Sequence, residues 1–150
     1  MIQRSSVAEL ESAATFVDLI TEYAEESAID GLPAPAARFE AYRHLEAIKM
    51  LYILSAIHEG NLIGFITVLK PIMLRYALPP AISESFFVAK AHRHTMAGLK
   101  LLVAADELSK ELNLAGLMVS ARVDSNLAGL LVKCGFVPTS TSFFKRVAHV

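Results

Sequence analysis

The chain has 150 residues, 54% of them hydrophobic, with a mean hydropathy of +0.46, a formal net charge of -1 and a pI near 6.5. That length suits one domain over residues 1–150 whose core needs neither disulfide nor metal support, while no apolar run approaches the ~20 residues that cross a bilayer. Near-neutral charge argues against a nucleic-acid partner. The single cysteine, Cys134, excludes an intrachain disulfide and a multi-Cys zinc site, and Met1-Ile2-Gln3-Arg4 lacks the apolar core of a signal peptide, so a cytoplasmic setting is expected.

A short edge strand is expected over residues 1–5. Ser6-Val7-Ala8-Glu9 then has the capping-box pattern, in which hydroxyl and carboxylate each satisfy the other residue's amide. Ala13, Phe16, Val17, Ile20 and Ala24 recur at helical spacing behind it, predicting one amphipathic helix over residues 7–26. Asp30-Gly31-Leu32-Pro33-Ala34-Pro35 ends it, and Phe39, Tyr42, Leu45 and Ile48 predict a second helix over 36–49. Two apolar stretches, 51–58 and 62–69, flank Glu59-Gly60-Asn61 and read as an antiparallel hairpin whose glycine takes positive φ. Both are apolar on successive residues, so both faces should be covered.

Residues 70–80 carry Pro71, Pro79 and Pro80 and read as an irregular connection. A strand over 81–89 would place Ile82, Glu84, Phe86 and Val88 on one face and Ser83, Ser85 and Phe87 on the other. It runs into a basic turn containing His92, Arg93 and His94, and then into a helix over 95–113 with Leu101, Ala104, Ala105, Leu108 and Leu112 as its buried stripe. Amides converging at that helix start would suit an anion, because the first turn leaves N–H groups without partners and the helix dipole favours negative charge. Residues 117–120 read as a short strand, 125–134 as a short helix closed by Gly135 in the left-handed region, and 143–147 as a last strand. His44, His58 and His149 show no metal spacing, so no metal is expected, and Cys134 reads as a small core residue rather than a nucleophile.

The order β-α-α-β-β-β-α-β-α-β, with a phosphate corner after the fourth strand, resembles the GNAT superfamily of acyl-CoA-dependent N-acyltransferases over nearly the whole chain. Two stretches carry the resemblance. Phe86-Phe87-Val88 followed by Arg93-His94-Thr95-Met96-Ala97-Gly98 parallels the family's [R/Q]-x-x-G-x-[G/A] loop, and Leu130-Leu131-Val132-Lys133-Cys134-Gly135-Phe136 parallels its late helix ending in Gly-Phe. The wording of the loop is also similar to small GNAT proteins encoded by phages and prophages. The fold implied is a layered α/β (α+β) one: a mixed, mostly antiparallel sheet with helices on both faces and splayed fourth and fifth strands.

The resemblance implies acetyl-CoA as co-substrate and an amine acceptor, on a small molecule or a protein. The loop Arg93, His94, Thr95, Met96, Ala97, Gly98 and Leu99 would hold the CoA pyrophosphate through amides from His94 to Leu99. Phe86, Phe87 and Val88 would pair backbone groups with the pantetheine arm, and the Val88 amide would polarise the thioester carbonyl. Glu84, on the same strand face as Val88, is the candidate general base, with a pKa raised by partial desolvation. The acceptor pocket would be built from residues 27–35 and 70–80, and a homodimer would use surplus apolar surface.

Two positions depart from the family pattern. Met96 stands where the first loop glycine is usual, and Leu131 where a tyrosine commonly protonates the departing thiolate. Ser120, Ser125 and Tyr76 are candidate proton donors in its place, none of them singled out by the sequence, and Asp124 and Asn126 compete for the position of the family's late asparagine. These departures favour, as an alternative, a GNAT-fold module that binds CoA or serves a structural role without efficient catalysis. A different phosphate-binding α/β domain would need a G-K-[S/T] or three-glycine fingerprint, which the chain lacks.

Overall fold

A computed structural model describes residues 1–33 and 39–147. Five strands form one sheet in the order β1-β2-β3-β4-β5: β1 (Ile2–Ser5), β2 (Leu51–His58), β3 (Asn61–Leu69), β4 (Ala81–Val88) and β5 (Leu117–Val119). All pairings are antiparallel except β4 with β5. Helices α1 (Val7–Ser12), α2 (Phe16–Ser27) and α3 (Phe39–Ala47) accompany one apolar layer, and α4 (Ala97–Glu111) and α5 (Asn126–Lys133) the other. The architecture is the expected layered one, a mixed and mostly antiparallel sheet with helices on both faces.

The capping box forms at α1: Ser6 Oγ accepts from the Glu9 amide at 3.1 Å and Glu9 Oε2 from the Ser6 amide at 2.7 Å. The single helix expected over 7–26 is nevertheless two. At about 100° per residue, Phe16 and Leu19 lie half a turn out of phase with Val7 and Leu10, so a continuous helix could not bury all four. The break at Ala13–Thr15 resets the phase, and the four side chains share one core cluster. Thr15 spends its hydroxyl on the Leu62 carbonyl at 2.7 Å instead of capping α2, pinning the break to β3. Val17, expected in the buried stripe, is 72% exposed. Helix α3 starts at Phe39; the earlier start expected at residue 36, like Ala34 and Pro35 of the helix-stop segment, lies outside the described residues.

The β2–β3 hairpin turns through Glu59 (φ 49°) and Gly60 (φ 79°), so both central residues, and not the glycine alone, take the left-handed region. Both faces of the hairpin are covered. Ile53, Leu62 and Phe65 pack with α1 and α2, while Leu54, Ile66 and Val68 pack with Leu101, Ala105 and Leu108 of α4. Gly64 sits opposite Val88, where a Cβ would lie 2.7 Å from the Phe87 carbonyl oxygen; only glycine lets β3 and β4 close at this point.

Helix α5 is capped by Ser125, whose Oγ accepts from the Ala128 amide, and ends in a Schellman motif: Gly135 (φ 90°) donates to Val132 and Phe136 to Leu131. Two expectations fail beyond it. Cys134 is exposed at the end of α5 rather than in the core. Residues 143–147 form no strand, and Phe143 is 93% exposed: a segment becomes a strand only by hydrogen-bonding to a neighbour's edge, and no strand pairs with this one among the described residues.

Candidate functional site

Strand β4 positions every part of the site. Beyond it, residues Lys90–Thr95 form a 3-10 turn, Met96 adopts φ 65° and ψ 9°, and α4 begins at Ala97. The first helical hydrogen bond is Lys100 N–H to Met96 O at 3.0 Å. The amides of Ala97, Gly98 and Leu99 therefore have no acceptor among the described residues, and no side chain caps the helix. Three free N–H groups at the positive end of a 15-residue helix make an anion cradle.

The basic side chains before this cradle are engaged elsewhere. Arg93 Nε donates to Val88 O at 2.9 Å, its Nη2 pairs with Glu26 at 2.6 Å, and the guanidinium lies 5.3 Å from the Phe87 ring centre. Lys90 Nζ also approaches Glu26, at 3.5 Å, and the Lys90 amide donates to Glu22. The Arg93 hydrogen bond holds the Glu26 carboxyl below its ordinary range. Arg93 thus braces the turn against α2. His94 is exposed, His92 packs its ring 5.6 Å from that of His58, and Thr95 donates to His92 O.

The outer edge of β4 is open. β5 pairs only with Ala81, Ile82 and Ser83, so from Glu84 onward no strand lies on that side among the described residues. Ala89 N–H bonds Ile63 O, and by antiparallel alternation the main chain of Phe87 also faces β3, whereas the N–H and C=O groups of Phe86 and Val88 face the open side. Phe87, expected from the sequence to offer its backbone to a ligand together with Phe86 and Val88, instead turns its N–H and C=O to β3, and its buried ring packs against Tyr23. A Cβ on Gly98 would sit 3.6 Å from Phe86 and 3.9 Å from Val88, so the open edge runs directly to the amide cradle.

Glu84 lies on the other face from the one alternation assigned. The β3–β4 register steps from Thr67–Ser85 to Val68–Ser83, leaving Glu84 as the extra residue of a β-bulge. The bulge turns its carboxylate to the α2–α3 side with Ser85, away from Val88. Thr67 repairs the interrupted ladder, its Oγ1 accepting from the Ser85 amide at 2.9 Å. Three hydroxyls converge on Glu84 Oε2: Tyr42 at 2.8 Å, Thr67 at 3.0 Å and Ser85 at 2.7 Å. Oε1 accepts no hydrogen bond from the described residues. The Glu84 residue is exposed rather than desolvated. Burial, together with the charge and hydrogen bond of Glu84, pushes the Tyr42 hydroxyl above the usual tyrosine range, and burial followed by the Glu84 charge does the same to Tyr23. Both phenols stay protonated.

Glu84 lines a cavity of about 220 Å³ whose walls include Val7, Leu10, Ile20, Phe39, Ile53 and Phe65. The segments expected to build an acceptor pocket do not line it: its described lining comes from α1, α2, α3 and the sheet, with none from residues 27–33 or 70–80. Tyr23, Tyr42, Thr67 and Ser85 escaped sequence reasoning. The available signal was a pair of hydroxyl residues, Thr67 in an otherwise apolar strand and Ser85 beside Glu84.

Of the remaining candidates, Leu131 is buried in the α4–α5 core, Ser125 is committed as a cap, and Ser120 and Tyr76 stand apart from the cavity lining. Asp124 takes φ 58° just before the cap, and Asn126 opens α5. No helix among the described residues is long and apolar enough to cross a membrane.

No protein-family model matches the sequence, and no curated protein does. Solved structures match the fold over nearly the whole chain. An aminoglycoside acetyltransferase from an uncultured soil metagenomic sample, in complex with sisomicin, superposes with a TM-score of 0.73 at 17% identity, covering 99% of this chain and 96% of that one. A ribosomal-protein-alanine N-acetyltransferase from Brucella melitensis biovar Abortus 2308 gives 0.71 at 18%, over 98% and 99%. The aminoglycoside N-acetyltransferase AAC(6')-Iy in complex with CoA gives 0.71 at 14%, over 99% and 100%.

Proposed function

We propose that this chain, which shares the fold of these acetyltransferases, transfers an acetyl group from acetyl-CoA to an amine. The observation that carries the reading is one strand that joins three features. The strand-free edge at Phe86 and Val88, where Arg93 takes the Val88 carbonyl and leaves the Val88 N–H open, ends at the free amides of Ala97, Gly98 and Leu99, and Glu84 faces a cavity from the same strand. The donor set fits CoA: an anion cradle for the pyrophosphate, and an open strand edge for the amide-bearing pantetheine arm. Binding of CoA to a structure of the same fold supports it. What CoA supplies is an acetyl group activated as a thioester.

The chain's own groups then have distinct tasks. The free N–H of Val88 faces the open edge and would donate to the carbonyl oxygen as charge develops there. Glu84 Oε1 would receive the ammonium of the acceptor and take its proton, while the three hydroxyls on Oε2 hold the carboxylate in orientation. The amine nitrogen bonds to the acetyl carbon as the carbon–sulfur bond breaks, and CoA leaves as thiolate. Buried Leu131 supplies no acid for that thiolate; at neutral pH solvent protonates it. The same residue, with Met96, is what favours the second reading, a module that binds CoA without efficient turnover.

Calorimetric titration with acetyl-CoA tests the cofactor assignment. Saturable one-to-one binding is expected, and absence of heat and of any thermal shift at millimolar acetyl-CoA would overturn it.

A further inference from the structure

The chemistry of the cavity beside Glu84 narrows the acceptor, and the inference rests on the acetyltransferase reading only for what happens to the ligand after it binds. At about 220 Å³ the space is smaller than the roughly 300–1,000 Å³ of clefts that bury a drug-sized ligand. Its walls are mostly aliphatic and aromatic, the hydroxyls of Tyr42, Thr67 and Ser85 are spent on the carboxylate, and among the described lining residues Glu84 is the one ionised group. A single carboxylate with one oxygen open receives one ammonium. A second cationic group on the same ligand would be carried into an apolar wall without a counter-charge, where an unpaired charge is strongly penalised. Phe39 and Tyr42, with ring centres 6.2 Å apart, both line the space and supply aromatic surface for an apolar body.

We propose that the acceptor is a small primary monoamine with an uncharged, apolar body, aliphatic or aromatic, its nitrogen on Glu84 Oε1 and its body between α1, α2 and α3. The class differs from the polycationic sisomicin held by one structure of the same fold. Tyr42 is a positioning residue here, fixing the carboxylate while its ring forms part of the wall.

The test uses the full chain, with 2-phenylethylamine and isopentylamine as probes against spermidine, sisomicin and an alanine-initiated peptide. Thiol release from acetyl-CoA gives kcat/KM, and calorimetry in the presence of CoA gives Kd. The two monoamines are expected to show a kcat/KM at least tenfold higher and a Kd at least tenfold lower than each comparator. Ala24→Phe, which intrudes on the cavity, should raise KM for 2-phenylethylamine at least tenfold and leave acetyl-CoA affinity within twofold; should it not fold, the parent's Kd ranking decides. A comparator that binds as tightly as the monoamines, or monoamines that do not bind, would overturn the proposal. Selective monoamine binding without thiol release from any amine would uphold it and remove the acetyltransferase reading instead.

Discussion

Met96 concentrates the chemistry of the loop in one side chain. A non-glycine residue at φ 65° carries a Cβ clash of about 1 kcal/mol, and with 56% of its surface exposed Met96 has little packing to offset it. We predict that Met96→Gly raises stability by up to about 1 kcal/mol in thermal unfolding and tightens acetyl-CoA binding; weaker binding would show that the thioether itself contacts the ligand. Gly98 is the complementary position. Asp there would favour the start of α4 through the helix dipole yet place a carboxylate at the cradle, so Gly98→Asp should keep the melting temperature and lose at least tenfold in acetyl-CoA affinity. The glycine loss at Met96 was legible in the sequence, and so was Glu84 as the carboxylate of β4. Its orientation was not. Strict alternation places Glu84 with Val88, and only the register of β3, with Thr67 bonded to the Ser85 amide, creates the bulge that turns it to the cavity.

At the scale of elements, the same distinction separates what local sequence decides from what partners decide. Caps and turns were legible because they are local: Ser6 with Glu9, Gly60 in the hairpin, and Gly135 with Phe136 all form as their patterns require. The split between α1 and α2 depends on which side chains the sheet accepts, and a strand at 143–147 on a neighbour meeting it, which none of the described residues does; neither condition is written locally. Two predictions belong here. Gly64→Ala should destabilise the fold by about 1–3 kcal/mol, since its Cβ meets backbone rather than a yielding side chain. The clamp of α2 on the basic turn should show a pH signature. Glu26 has its pKa lowered by folding, so its contribution is present at neutral pH and is lost as pH falls through and below the ordinary carboxylate range near about 4. Glu26→Gln should therefore be less stable than the parent at pH 7, with the difference narrowing in acid; a gap that persisted at low pH would exclude the ionic contact as its source.

For the molecule as a whole, the sheet is a divider. One edge of β4 opens to the amide cradle of α4, and the bulge sends Glu84 to the cavity under α2 and α3, so that a thioester and an amine would reach the same strand from different directions. The order of elements made the fold legible across all of this, because each crossing is enforced by capping and apolar patterning. The cavity was not legible, since its walls come from segments as distant as Val7 and Ser85. The most direct test of the account is thiol release from saturating acetyl-CoA across a broad amine panel, compared between the parent and Glu84→Gln. Amine-dependent release is expected from the parent, with turnover at least tenfold lower in Glu84→Gln and acetyl-CoA affinity unchanged; equal turnover in the two proteins, or no release with any amine, would contradict it.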